Sequence, residues 1–295
     1  MSSLTLPIEK PIQNAALIAN EEMIVHNIKY ISIWLAIPIL FAGLYPWAVR
    51  NPEYLRWLII TMLMVVLFFS VVIHELSHGL AARACGDHTA ERAGRLTLNP
   101  IRHVSIFGSL VLPIVLYLMK APVFGWAKPV PFDATNLKEY PRDQVWIAMA
   151  GPLSNLGLSF VCYLIYLFSA IGFRIMNPGH AIQLPLDIFT PLPISGAAFE
   201  ALWFVWLEML AFGLLINLVL AIFNLLPFPP LDGSWILKAL LPPKALKLFS
   251  KIQPFGFLLI LIALRYDLLT VCMYPLMMVA GAFNLLGNWA FEVLP

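Results

Sequence analysis

Residues 57–82 form an uninterrupted apolar run except near its end, where His74-Glu75-Leu76-Ser77-His78 places two histidines and a carboxylate. A run of this length crosses the hydrocarbon core of a bilayer as a helix. Ionisable groups at that depth are costly, and they face either the protein interior or a water-filled cavity. Any fold of this chain must therefore accommodate the pentad inside or at the edge of a membrane. Composition agrees: 61% of the residues are hydrophobic and 12% charged, too few polar side chains to clothe a soluble domain.

Three further segments, about 30–49, 145–173 and 200–226, are long and apolar enough to span, and residues 268–290 make a fifth. Residues 255–264 are too short alone. The expectation is an all-α polytopic membrane protein of five to six transmembrane helices, with a re-entrant hairpin or short strands next to the active site. Residues 104–119 are the hairpin candidate, because they are short, contain Pro113 and run into Pro122, Gly125, Pro129 and Pro131. Residues 93–101 and 121–132 are the candidate strands or extended loops. The polar connections are too short to hold a soluble domain. The chain thus divides into an N-terminal segment, 1–29, expected to be cytoplasmic, and one membrane-embedded domain, 30–295. The first 29 residues lack the basic-then-apolar pattern of a cleaved signal. Cys85, Cys162 and Cys272 have no disulfide or metal-site spacing, and a net charge of +2 gives no nucleic-acid signal.

The pentad matches H-E-x-x-H. Two histidines four apart share a helix face and can reach one zinc ion, with the glutamate between them near a metal-activated water. A catalytic zinc site commonly takes a third protein ligand. Asp232 follows the 200–226 segment, after Pro227, Pro229 and Pro230 and before Gly233, in a rigid non-helical stretch of the kind that lines cavities. It is the leading candidate, with a helix cap for 234–240 as the other reading. His103 and His88 are rival ligands in the basic 83–103 loop, and His180 lies in the opposite connection.

With these residues in place, the chain resembles the site-2 protease family of intramembrane zinc metalloproteases (peptidase family M50), in its compact bacterial branch. That family pairs H-E-x-x-H with N-x-x-P-x-x-x-x-D-G, matched by Asn224, Pro227, Asp232 and Gly233, and with A-G-P-x-x-N, matched by Ala150 to Asn155. Gly94–Pro100 and Phe124–Pro131 are similar to the compact branch as well. The core motifs span 65–245. Ser77 stands where glycine is commoner, and Ser105 where many compact relatives carry aspartate. The resemblance implies one Zn2+ per chain on His74, His78 and Asp232, and Glu75 as catalytic base. It also implies a substrate or oxyanion contact from Asn155, and structural support of the site from Asn224, Pro227 and Gly233. Transmembrane protein substrates, the lipid bilayer and regulatory membrane partners are the partners it implies.

Topology offers an independent test. His74, His78 and Asp232 meet only if the 57–82 and 200–226 helices end on one side of the membrane, which requires 104–119 to re-enter. That arrangement puts 14 Lys and Arg residues on the site's side and 3 opposite, with Arg265 unassigned. A full span gives 10 against 7. Basic connections mark the cytoplasmic side. The expected placement is a bacterial inner membrane with the site toward the cytoplasm. A zinc transporter using the same ligands and a non-catalytic scaffold that binds membrane helices are the competing classes; no paired repeat supports the first.

Overall fold

Long apolar runs with few breakers give long helices, and four of them organise the protein. The computed structural model describes residues 9–119, 127–176 and 198–266, with the single positions 274 and 278. Helix α1 covers Glu9–Ala48, α2 Pro52–Ala84, α5 Arg142–Met176 and α6 Ala198–Leu225. Between and after them lie α3 (Thr89–Arg92), α4 (Leu112–Leu118), α7 (Asp232–Leu240), α8 (Pro243–Ile252) and α9 (Gly256–Arg265). Portions of α1, α2, α5 and α6 are long and apolar enough to cross a membrane. Helix α1 runs on without a break from Glu9 through the boundary expected near residue 29. The expected fifth span, 268–290, and His180 fall outside the described residues.

Helix α2 opens on a cap in which Asn51 accepts from the amide of Glu53, with Pro52 in the first turn. Its inner face packs Leu55, Leu58, Met62 and Val66 against Phe41 and Tyr45 of α1 and Val205 and Phe212 of α6. The opposite faces are apolar and exposed, as at Leu35, Ile39, Phe160 and Phe168, which suits lipid rather than water.

Side-chain contacts fix the directions. The start of α1 lies by the loop after α2, where Asn27 accepts from the amide of Leu98 at 2.8 Å and Tyr30 accepts from Asn99 at 3.0 Å. Helix α5 starts where α2 ends, since His78 Nδ1 reaches the carbonyl of Ile147 at 2.7 Å. Helix α6 ends there too, beside α7. Helices α2 and α6 thus run one way, and α1 and α5 the other.

The excursion after α2 returns to its origin. Ser105 accepts from the amide of Gly108 and opens a π-helical turn, Ile106–Val111, which continues into α4. The amide of Lys128 then donates to the carbonyl of His103 at 2.8 Å. The two ends of the segment are adjacent, as a re-entrant path requires. Of the two forms expected for 93–101 and 121–132, strand or extended loop, the described residues form no strand. Residues 127–133 carry no regular structure because their backbone groups are taken by side chains: Arg95 donates to the carbonyls of Lys128 and Pro129, and Glu75 and Asp87 accept from Val130 and Asp133.

Candidate metal centre

The last turns of α2 and the first residue of α7 meet at one point. His74 Nε2 and His78 Nε2 are 3.1 Å apart, as the i, i+4 spacing requires. Asp232 Oδ2 lies 3.1 Å from the first and 3.3 Å from the second. Asp232 does not cap α7, whose N-cap is Leu231 with no side-chain bond. Its carboxylate turns to the histidines instead.

Each imidazole is held from behind. His78 Nδ1 faces the carbonyl of Ile147, which only accepts, so Nδ1 carries the proton and Nε2 the lone pair. His74 Nδ1 faces Asn155 Oδ1 at 2.5 Å, with the same consequence. Three lone-pair atoms therefore converge, and Asp232 Oδ2 is buried without a hydrogen-bond donor. Such a cluster repels itself unless a cation lies among its members. A tetrahedral zinc ion with bonds of about 2.0–2.1 Å spaces its ligand atoms about 3.3–3.4 Å apart. The observed separations and the two-nitrogen, one-oxygen donor set fit zinc.

Glycine is needed at two contacts. A Cβ on Gly151 would lie 2.6 Å from His74 Nε2, so α5 approaches the imidazoles only because residue 151 has no side chain. A Cβ on Gly233 would lie 2.5 Å from the carbonyl oxygen of Leu226. Gly233 thus permits close packing of α7 on the end of α6.

Glu75 and all three converging residues line a cavity of about 610 Å3, walled by Val130, Phe132, Ile147, Asn224 and Trp235 among others. One Glu75 oxygen, Oε2, accepts from the Val130 amide at 2.9 Å. Phe132 and Trp235 meet edge to face across the cavity wall at 6.2 Å, and Lys238 covers the Trp235 ring at 4.8 Å.

Several expected residues are placed differently. Asn155 is fully buried behind His74, with its amide nitrogen donating to Asn217 at 2.7 Å. Both ends of its side chain are engaged within the protein, by His74 at the oxygen and by Asn217 at the nitrogen. Asn224 lines the cavity, but it donates to Leu220 one turn back and not to the Pro227–Gly233 turn. Pro227 opens that turn, where α6 stops at Leu225. Of the rivals, exposed His88 pairs with Glu91 at 2.7 Å. Buried His103 donates to the carbonyl of Thr97, and burial pushes its imidazole below the usual value. Among the described residues, neither joins the cluster.

The family model described as "Peptidase family M50" matches residues 62–263. The chain belongs to peptidase family M50. It is 33% identical over 216 residues to "Putative zinc metalloprotease YwhC" of Bacillus subtilis, a match covering 73% of this chain and 85% of that one. A Rip2 protein of Mycolicibacterium smegmatis, given the same description, is 29% identical over 198 residues, covering 66% of this chain and 63% of the relative. The Methanocaldococcus jannaschii protein MJ0611, also so described, is 31% identical over 169 residues, covering 57% and 64%. The chain thus spans slightly less than two thirds of the latter two. No solved structure matches it. This M50 chain is a multi-pass membrane protein and a zinc metalloprotease, which decides against the transporter and scaffold readings.

Proposed function

We propose that this M50 protease hydrolyses peptide bonds in or beside transmembrane segments of membrane-protein substrates, with zinc on His74, His78 and Asp232 and Glu75 as general base. The observation that carries this reading is the convergence of three lone-pair atoms on one point of a cavity that opens at the ends of membrane-spanning helices. Zinc held there supplies Lewis acidity that activates water and polarises the scissile carbonyl. Glu75 accepts the water's proton on the carboxylate oxygen that Val130 does not occupy, and delivers it to the leaving amine. The 127–133 segment, which forms the wall beside Glu75, is where an unwound substrate backbone would lie. A transmembrane helix must unwind there, since its carbonyls are otherwise engaged in helix bonds.

The excess of basic residues on the site's side favours a site toward the cytoplasm of a bacterial inner membrane. The test is cleavage of a panel of single-span substrates in proteoliposomes by wild type and Glu75→Gln. Cuts in or beside the span by wild type alone support the reading. Cuts confined to soluble peptides, or equal cutting by Glu75→Gln, overturn it.

A further inference from the structure

Behind His74, three polar side chains on three helices form a line whose donors and acceptors can be assigned in order. The assignment starts at the carbonyl of Gly213, which can only accept. Asn217 Nδ2 donates to it at 2.7 Å and to Ser70 Oγ at 2.9 Å. The oxygen end of Asn217 therefore faces Asn155, and it takes Asn155 Nδ2 at 2.7 Å. That same Nδ2 lies 3.4 Å from the carbonyl of Ser70, another atom that only accepts. Asn155 is left with its oxygen toward His74 Nδ1 at 2.5 Å. Ser70 ends the line by donating to the carbonyl of Val66 at 2.9 Å. Ser70 and Asn155 are 0% exposed and Asn217 1%, so no bulk water can substitute for a lost partner.

We propose that Asn217, on α6 and with no contact to the metal cluster, is a positioning residue for the metal. Acting through Asn155, it locks His74 in the form with hydrogen on Nδ1 and the lone pair on Nε2. Without Asn217, only the 3.4 Å contact to the Ser70 carbonyl opposes a half-turn of the Asn155 amide, which would present its nitrogen to His74 Nδ1. The imidazole proton then belongs on Nε2, and the lone pair that faces Asp232 and His78 is lost. Partners of this outer kind set metal affinity by about 10- to 100-fold. This inference rests on the reading of His74 as a zinc ligand.

The test measures zinc affinity by chelator competition in the full-length protein in detergent, for wild type and the variants His74→Ala, Asn155→Leu, Asn217→Leu, Ser70→Ala and Asn155→Leu with Asn217→Leu. Thermal unfolding in excess chelator is recorded beside it, with the visible spectrum of the cobalt-loaded protein as a readout of ligand geometry. Asn217→Leu is expected to bind zinc about 10- to 100-fold more weakly and to show an altered cobalt spectrum. Ser70→Ala, which removes one hydroxyl and should fold whatever the fate of the leucine variants, is expected to lose about twofold to tenfold. The double variant should bind as Asn155→Leu does, because Asn217 acts only through Asn155. Unchanged affinity and cobalt spectra in Asn217→Leu and Ser70→Ala, with only lower thermal stability, would reduce the line to helix packing and overturn the proposal. Fully additive losses in the double variant would also overturn it. Wild type without zinc, or His74→Ala that binds like wild type, would instead remove the metal-site reading and the proposal with it.

Discussion

The amide of Lys128 donates to the carbonyl of His103 at 2.8 Å, so the two ends of the segment between these residues lie side by side, as a re-entrant path requires. A full crossing would hold the two residues a bilayer thickness apart. In a variant lacking native cysteines, Ile101→Cys and Lys128→Cys are expected to react with an impermeant thiol reagent from one side, and Arg50→Cys from the other. Labelling of positions 101 and 128 from opposite sides would contradict the re-entrant path.

Gly151 sets the distance between α5 and the imidazoles. Gly151→Ala pushes a methyl into the space taken by His74 and His78. The helix itself tolerates alanine, so the chain should still insert and fold. Zinc affinity is expected to fall by about tenfold or more, a displacement effect on both ligands. Undiminished zinc binding in this variant would mean that the helices spread at no cost to the site.

Arg95 is buried, and its guanidinium fixes the carbonyls of Lys128 and Pro129, next to the Val130 amide that holds Glu75. Arg95→Gln cannot fork in the same way. The expected result is a fall in kcat of about tenfold or more with zinc content unchanged, because the damage reaches Glu75 and not the ligands. Parallel loss of zinc would place Arg95 in support of the metal instead.

Asp87 clips the same wall to the end of α2. It accepts from the amide and hydroxyl of Thr89, from the amide of Asp133 and from Asn136. Burial opposes its ionisation, but these donors outweigh burial and hold its carboxyl below the usual value. A carboxyl lowered in the folded state stabilises fully above its unfolded value of about 3.9, and the contribution disappears as pH falls through the folded value. Asp87→Ala is expected to cost about 2–3 kcal/mol near neutral pH. The gap from wild type should narrow below about pH 4. Chemical denaturation at pH 7 and pH 3.5 measures both; a gap that widens in acid would contradict the assignment.

What could be read from the chain followed from local spacing. His74 and His78 declare a shared helix face by their separation, and Asp232 stands out as a carboxylate at membrane depth in a proline-stiffened turn. The re-entry of 104–119 was legible through the charge balance that the crossing alternative spoils. Asn155 was legible as a site residue but not in its direction, which depends on how α5 is rotated against α2. Its i, i+4 relation to Gly151 was the available signal, since both fall on the face that meets His74. Arg95 and Asp87 act across long sequence separations on loop backbone, and no periodicity marks such contacts. The lack of strand among the described residues has the same origin: residues 127–133 are bound by side chains, and a run of prolines and apolar residues does not reveal that.

The most direct measurement is zinc per chain in detergent-purified wild type, Glu75→Gln and Asp232→Ala. About one zinc is expected in wild type and in Glu75→Gln, with clear loss in Asp232→Ala and no cleavage by Glu75→Gln. Full retention of zinc by Asp232→Ala would contradict the convergence of His74, His78 and Asp232 on one metal.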